Sequence, residues 1–416
     1  MPSRLCKVSF SLTSLAIVGL VTCGSASAAS LSYTIKDLGT LGGSKSTGFS
    51  MNRLGQVVGT SDIPGNTGFH AFRTAPNQAI NPATDDLGTL FGAPISGANG
   101  INDLGQVVGY SRQASGGELA FRTGPNQAIN SATDYLGTLG GSTSVATTIN
   151  NLGQVVGNSL ITGDAALRAF RTGANQNINP ATDDLGTLGG TNSLANYIND
   201  LGQVVGYADI AGDVATHAFR TGPNQAIGAG SDLGTLGGNY SEANYINSLG
   251  EVVGASTLAG NENVLHAYRI GANETIGAGS DLGTLGGDSS VAYAINNLGQ
   301  VVGFSNIAGS TDIHAFLHTN GTMFDLNNLV AANAFDGFSV LAAAFNINDS
   351  GQIVGSGLRA DGTLHAFLAT PITPTSVPEP DSTLGLAVGL FGAGSLLKRK
   401  LKKEKQLCSA IGAGQR

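Results

Sequence analysis

The stretch that decides the fold reads Asn150-Asn151-Leu152-Gly153-Gln154-Val155-Val156-Gly157. Asn opens and Gly closes a four-residue turn. The Asn side chain can bond back to the turn backbone, and Gly tolerates the positive φ that ends such a turn. Apolar residues flank it, Ile149 before and Val155-Val156 after, so the octapeptide predicts two short strands joined as a hairpin. With small variations the stretch begins at Asn52, Asn102, Asn150, Asn199, Asn247, Asn296 and Asn348. Seven copies at a spacing of about 49 residues mark a repeat protein.

Two more landmarks recur with it. Asp-Leu-Gly-Thr-Leu starts at Asp37, Asp86, Tyr135, Asp184, Asp232 and Asp281, and a degenerate seventh copy, Asp-Leu-Asn-Asn-Leu, starts at Asp325. His-Ala-Phe-Arg places its aromatic residue at Phe72, Phe121, Phe170, Phe219, Tyr268, Phe316 and Phe367. The hairpin supplies two strands, His-Ala-Phe-Arg a third and Asp-Leu-Gly-Thr-Leu a fourth. Four short strands per repeat is the size of one propeller blade. The fold expected over residues 29–371 is therefore all-β, a seven-bladed β-propeller of four-stranded antiparallel blades. The chain opens on a fourth-strand segment, residues 33–41, and its last blade stops after the third strand, at residues 365–368. Pairing the two closes the ring and removes an exposed edge. A parallel β-helix is the alternative, but its coils are shorter and it needs capping repeats.

The three landmarks resemble the HAF-repeat family of predicted extracellular proteins, over residues 33–368. That family is defined by sequence, so the resemblance implies export and a repeat fold but no activity.

Both ends read as addresses. Arg4 and Lys7 precede an uncharged apolar stretch, and small residues follow, ending in Ala26-Ser27-Ala28. This is the pattern of a secretory signal peptide over residues 1–28, with cleavage after Ala28. At the other end, residues 372–383 form a Pro-rich linker carrying Val377-Pro378-Glu379-Pro380. Residues 384–405 hold an apolar run and then the basic cluster Lys398-Arg399-Lys400-Leu401-Lys402-Lys403, and residues 406–416 read as a disordered tail. The order of motif, apolar run and basic cluster resembles a PEP-CTERM sorting signal. That resemblance implies an exosortase-type membrane protease as partner, a membrane segment during export, and a final place at the cell surface or outside the cell. Exosortase systems accompany exopolysaccharide production, which implies polysaccharide or surface proteins as partners. The same tail is sometimes labelled an ice-binding protein C-terminal domain; the label describes the tail alone, and ice binding is a third functional reading that rests on it and nothing else.

Charge excludes one class of partner. Between residues 8 and 397 there are 11 basic and 27 acidic residues, a net charge near −16. Nucleic acid needs the opposite sign. Cys6, Cys23 and Cys408 all lie at the ends, so the repeats hold no disulfide framework and no thiolate metal site.

The repeated polar residues are expected to be structural. His70, His217, His266, His314 and His365 come one per blade, which a ring holds apart; they are expected to bond a neighbouring blade. Arg73, Arg122, Arg171, Arg220 and Arg269 are expected to form inter-blade ion pairs. Asn-Asp pairs such as Asn102-Asp103 and Asn199-Asp200 offer oxygens to Ca²⁺ but lack an EF-hand spacing, and read as solvated turns. No catalytic centre, cofactor or metal site is expected. The expected function is a non-enzymatic binding or structural role at the surface or in an exopolysaccharide matrix. A carbohydrate-active propeller enzyme is the alternative, and would need a converging pair of carboxyl groups. The seventh repeat alone breaks the spacing, with extra residues within 327–338. Phe335 and Asp336 in that loop are the one candidate binding site, and a cover over the ring closure is the competing reading.

Overall fold

In the computed structural model, which describes residues 31–372, every Asn-x-x-Gly stretch forms its hairpin. In the third repeat Asn150 Oδ1 accepts hydrogen bonds from the Leu152 and Gln154 amides at 3.1 and 2.9 Å. Gly153 takes a φ of 80°, as the turn requires. The glycine ending Gln-Val-Val-Gly has a different cause. A Cβ on Gly157 would collide with the Val145 carbonyl of the paired strand, so only glycine lets the two backbones pass.

The first strands of the seven repeats are Ser46–Met51, Ser96–Ile101, Gly140–Ile149, Gly189–Ile198, Gly237–Ile246, Gly286–Ile295 and Phe338–Ile347. Each touches the first strand of the next repeat, and the seventh touches the first. The turn asparagines follow the same circuit. Asn52 Nδ2 donates to the Asn102 carbonyl, Asn102 to Asn150, and so on through Asn199, Asn247 and Asn296 to Asn348, each at 3.1 or 3.2 Å. Asn348 Nδ2 then lies 3.9 Å from Met51 Sδ, which returns the series to its start.

The core lies between repeats. Val156 and Ala169 of the third repeat pack with Leu185, Ala195, Ile198, Val204 and Phe219, which belong to the landmark that follows and to the fourth. Phe72, Phe121, Phe170, Phe219, Phe316 and Phe367 are fully buried, each contributing about 2–3 kcal/mol of burial. Buried serines stitch the same seam. Ser193 Oγ donates to the Gly186 carbonyl and accepts from the Ala169 amide of the preceding repeat.

The offset register is present. Tyr33–Asp37 pairs antiparallel with Leu364–Pro371, with Tyr33 opposite Pro371 and Asp37 opposite Phe367. This gives the seventh repeat a four-stranded sheet built from both ends of the described chain. Strands within each repeat pair antiparallel, which overturns the parallel β-helix alternative.

One expectation is corrected. Only the sixth and seventh repeats have a full fourth strand, Thr322–Asp325 and Tyr33–Asp37. In the first five repeats it shrinks to a single bridge, as between Phe72 and Asp86 or Phe170 and Asp184. The glycine two residues after that Asp turns the chain away at once, with φ 72° at Gly88 and its amide bonded to Asp86 Oδ1. In the sixth repeat Asn320-Gly321, both at positive φ, makes a tight turn straight back, so pairing continues.

The asparagine bonds predict a ranking of variants. Asn199→Ala leaves the Leu201 and Gln203 amides without their acceptor and removes one of the two donors to the Asn247 carbonyl, costing about 2–6 kcal/mol at roughly 1–3 kcal/mol for each of the two orphaned amides. Asn199→Asp keeps the acceptor but faces a carboxylate toward two oxygens, and is expected to cost at least as much. Chemical denaturation of the two variants checks the order.

Candidate binding face

The seven turns gather at one end of the first strands around a cavity of about 210 Å³. Its rim carries the second residue of each turn: Arg53, Asp103, Asn151, Asp200, Ser248, Asn297 and Asp349. Neighbouring rim residues bond across the repeats. Arg53 pairs with Asp103 at 2.6 Å, Asn151 Nδ2 donates to Asp200 Oδ2 at 3.0 Å, and Asn297 Nδ2 donates to Asp349 Oδ2 at 2.8 Å. Exposed pairs of this kind add little stability. Beneath the rim lies the buried asparagine series. Deeper still, Tyr197 and Tyr245 stack with ring centroids 3.7 Å apart and hydroxyls 2.7 Å apart. Burial pushes both hydroxyls up, Tyr245 to about 12, so they remain protonated donors.

The third residue of each turn gives this face a second character. Leu54, Leu104, Leu152, Leu201, Leu249 and Leu298 are between 53% and 71% exposed, and Ser350 holds the seventh place. A leucine with a packing role would be buried. Six exposed ones in equivalent turns form an apolar annulus around a polar mouth. Sequence reading missed it, although the signal was there. The motif has Leu at a turn position that demands no apolar residue.

The repeated histidines are structural, but their partner is corrected. His70 Nδ1 lies 2.9 Å from both carboxylate oxygens of Asp86; His217, His266 and His365 meet Asp232, Asp281 and Asp37 in the same way, and His314 meets one oxygen of Asp325 at 2.7 Å. Each aspartate belongs to the fourth position of the same sheet, not to a neighbouring repeat, because the two strands sit side by side. Where the second repeat has Leu119, its partner position holds Tyr135, so both members of the pair are exchanged together. Burial raises the Asp86 carboxyl, but bonds from His70 and the Gly88 amide outweigh it and leave it below the ordinary range.

The arginines reach other repeats, but they bond carbonyls instead of forming the expected ion pairs. Arg73 donates to the Gln127 carbonyl, Arg122 to Asn175 and Gln176, and Arg171 to Gln225. The long connections between third and fourth strands offer carbonyls there. Arg269 alone of the five meets a carboxylate, Glu251 at 2.7 Å.

The extended loop of the seventh repeat lies along the closing strand. The Ala331 amide donates to the Tyr33 carbonyl, the Ile35 amide to the Ala334 carbonyl, and Asp336 Oδ2 accepts from the Asp37 amide at 2.7 Å. Phe335 packs, partly buried, on the cluster containing Tyr33 and Ile35. Asp37 is also held by Arg359 and His365. The loop therefore packs along Tyr33–Asp37, and Asp336 is engaged with Asp37. Ala28 and Val377, Pro378, Glu379 and Pro380 lie outside the described residues. Among the described residues no group of three or more His, Cys, Asp or Glu is arranged to hold a metal, and no helix is long and apolar enough to cross a membrane.

No protein-family model matches the chain, and no curated protein matches it at a significant level.

His318 replaces the threonine that the first four repeats carry two residues after the landmark Phe. It is buried, and among the described residues its Nδ1 has no hydrogen-bond partner. Burial, and then the charge of Arg269, lower its pKa. The unfolded chain therefore takes up this proton first, and stability is lost as pH falls below about 6.5. His365 is lowered too, by burial and Arg359. His318→Thr is expected to raise stability by about 1 kcal/mol and to weaken its loss between pH 7.5 and 5.5, measured by denaturant unfolding at both values.

Proposed function

We propose that this chain is an exported seven-bladed β-propeller of HAF-repeat type that binds exopolysaccharide at the cell surface or in the extracellular matrix, without catalysis. Its signal peptide ends at Ala28. Its PEP-CTERM-type tail, through Val377-Pro378-Glu379-Pro380, hands it to an exosortase. Three observations support the ring: the serial asparagine bonds that return to Met51, the first-strand contacts that run from the first repeat to the seventh and back, and a last sheet completed by Tyr33–Asp37.

One observation carries the binding role. The turn face presents a variable polar rim and six exposed leucines over an invariant asparagine series. The asparagines hold the fold; the leucines do nothing for it. A repeat protein that keeps its scaffold constant and spends an apolar annulus on solvent has a surface built for contact. The rim carboxylates support the non-catalytic side of the reading, since each is engaged by a neighbouring repeat rather than set against a second carboxyl group across a substrate.

The test is retention of the purified secreted protein on immobilised neutral and acidic polysaccharides, with an assay for released reducing ends. Wild type is expected to be retained and to release none. The variant Leu104→Ser, Leu201→Ser, Leu298→Ser copies the serine already present at Ser350, so it is expected to keep its melting temperature and to lose about tenfold or more in retention. Released reducing ends, or full retention of the triple variant, overturns the proposal.

A further inference from the structure

The seven repeats differ most sharply inside, on their first strands. Five residues before each turn asparagine stand Thr47, Gly97, Val145, Leu194, Glu242, Val291 and Ala343. Six are uncharged and the fifth repeat carries a carboxylate. Two residues further along stand Phe49, Asn99, Thr147, Asn196, Asn244, Tyr293 and Phe345, all half-buried. By residue type they divide into two arcs. In the polar arc Asn99, Thr147, Asn196 and Asn244 each donate to a carbonyl of the next repeat. In the aromatic arc Tyr293 lies 5.1 Å from Phe345, and Phe345 lies 5.6 Å from Phe49.

Glu242 sits where the arcs join. Its Oε1 accepts from Asn244 Nδ2 at 3.1 Å, and Asn244 Oδ1 accepts in turn from Asn196 at 3.2 Å. Its Oε2 accepts from the Tyr240 hydroxyl at 2.7 Å. The Tyr240 ring lies 6.1 Å from Tyr207. Burial, and then the charge of Glu242, push the Tyr293 hydroxyl up to about 12. No other repeat assembles such a network, and none of it is needed for the fold, since Val145 and Val291 fill the same place elsewhere.

We infer that Glu242, with Tyr240, Asn244 and Asn196, forms a subsite for a neutral hexopyranose unit. An ionised carboxylate has about four acceptor sites, and two are in use. The remaining two suit a pair of adjacent sugar hydroxyls, which are donors. Both hydrogens of Asn196 Nδ2 and of Asn244 Nδ2 are already in use, so the asparagines offer their carbonyl oxygens as further acceptors to neighbouring hydroxyls, and the tyrosine rings offer faces to the apolar C–H side of the sugar. Acceptors spread over Glu242, Asn244 and Asn196 match the separated hydroxyls of a sugar better than a bare ammonium ion, whose donors all sit on one nitrogen. The inference rests on the reading of the protein as a polysaccharide binder, and names the sugar class and its place.

Glu242→Val makes the substitution that the third and sixth repeats already contain, so the variant is expected to fold. Calorimetric titration of the secreted protein uses neutral gluco-, manno- and galacto-hexasaccharides, with a chitosan hexamer for comparison. Wild type is expected to bind at least one neutral hexamer, and Glu242→Val to bind it about tenfold or more weakly, the loss expected for hydrogen bonds to a charged group. Polysaccharide retention through the leucine face is expected to persist in this variant. Equal affinity of variant and wild type, or binding of the chitosan hexamer alone, overturns the subsite. Wild type that binds no hexamer but is still retained on polysaccharide also overturns it, and leaves the surface role standing. Loss of both brings down the two proposals together.

Discussion

One side chain does three jobs in six of the seven repeats. The turn asparagine closes its hairpin through Oδ1, fixes the glutamine or glutamate four residues on through Nδ2, and reaches with the same amide to the backbone of the next repeat. No other residue type meets all these demands. Aspartate lacks the donor, glutamine is a methylene too long for the turn, and serine has one heavy atom where two are required. Because the bond leaves each repeat and enters the next, hairpin geometry and inter-repeat geometry are set by the same group. A repeat cannot relax its turn without loosening its neighbour. The core follows the same logic, since its apolar clusters lie between repeats and not within them.

Much of this was legible in the residues. Hairpin position, repeat count and the offset register follow from landmark order, because a turn motif and a closure rule are local statements. The fourth strand was less legible. Asp-Leu-Gly-Thr-Leu has strand-forming residues, but Gly88 and its equivalents bend the chain after a single bridge. Composition gives the residues their propensity, while length of pairing depends on where the chain must go next. The histidine partner was missed for a related reason. His70 and Asp86 are 16 residues apart in sequence, and only the side-by-side arrangement of the third strand and its bridge brings them to 2.9 Å.

The candidate sites were hidden by the regularity that made the fold readable. Acidic residues that recur once per repeat look structural, and most are. Glu242 is set apart from them only when it is lined up with Val145, Leu194 and Val291. The leucine annulus escaped for the opposite reason. It recurs faithfully, so it read as part of the turn, and only its exposure shows that the turn does not use it. In a chain of near-identical units, function is found where a position varies without structural need, or stays constant without it.

The pairing of Tyr33–Asp37 with Leu364–Pro371 also orders events in time. A hydrogen bond such as that between Thr34 and Thr370 spans 336 residues, nearly the full described length. The first described strand therefore waits for the last described one, and its edge stays open until Leu364–Pro371 has been made. Closing so large a loop carries a substantial entropic cost, and contacts this distant in sequence form late. A truncated chain, whatever the quality of its first six repeats, is left with an unpaired edge at each end and a strong tendency to find a partner in another molecule.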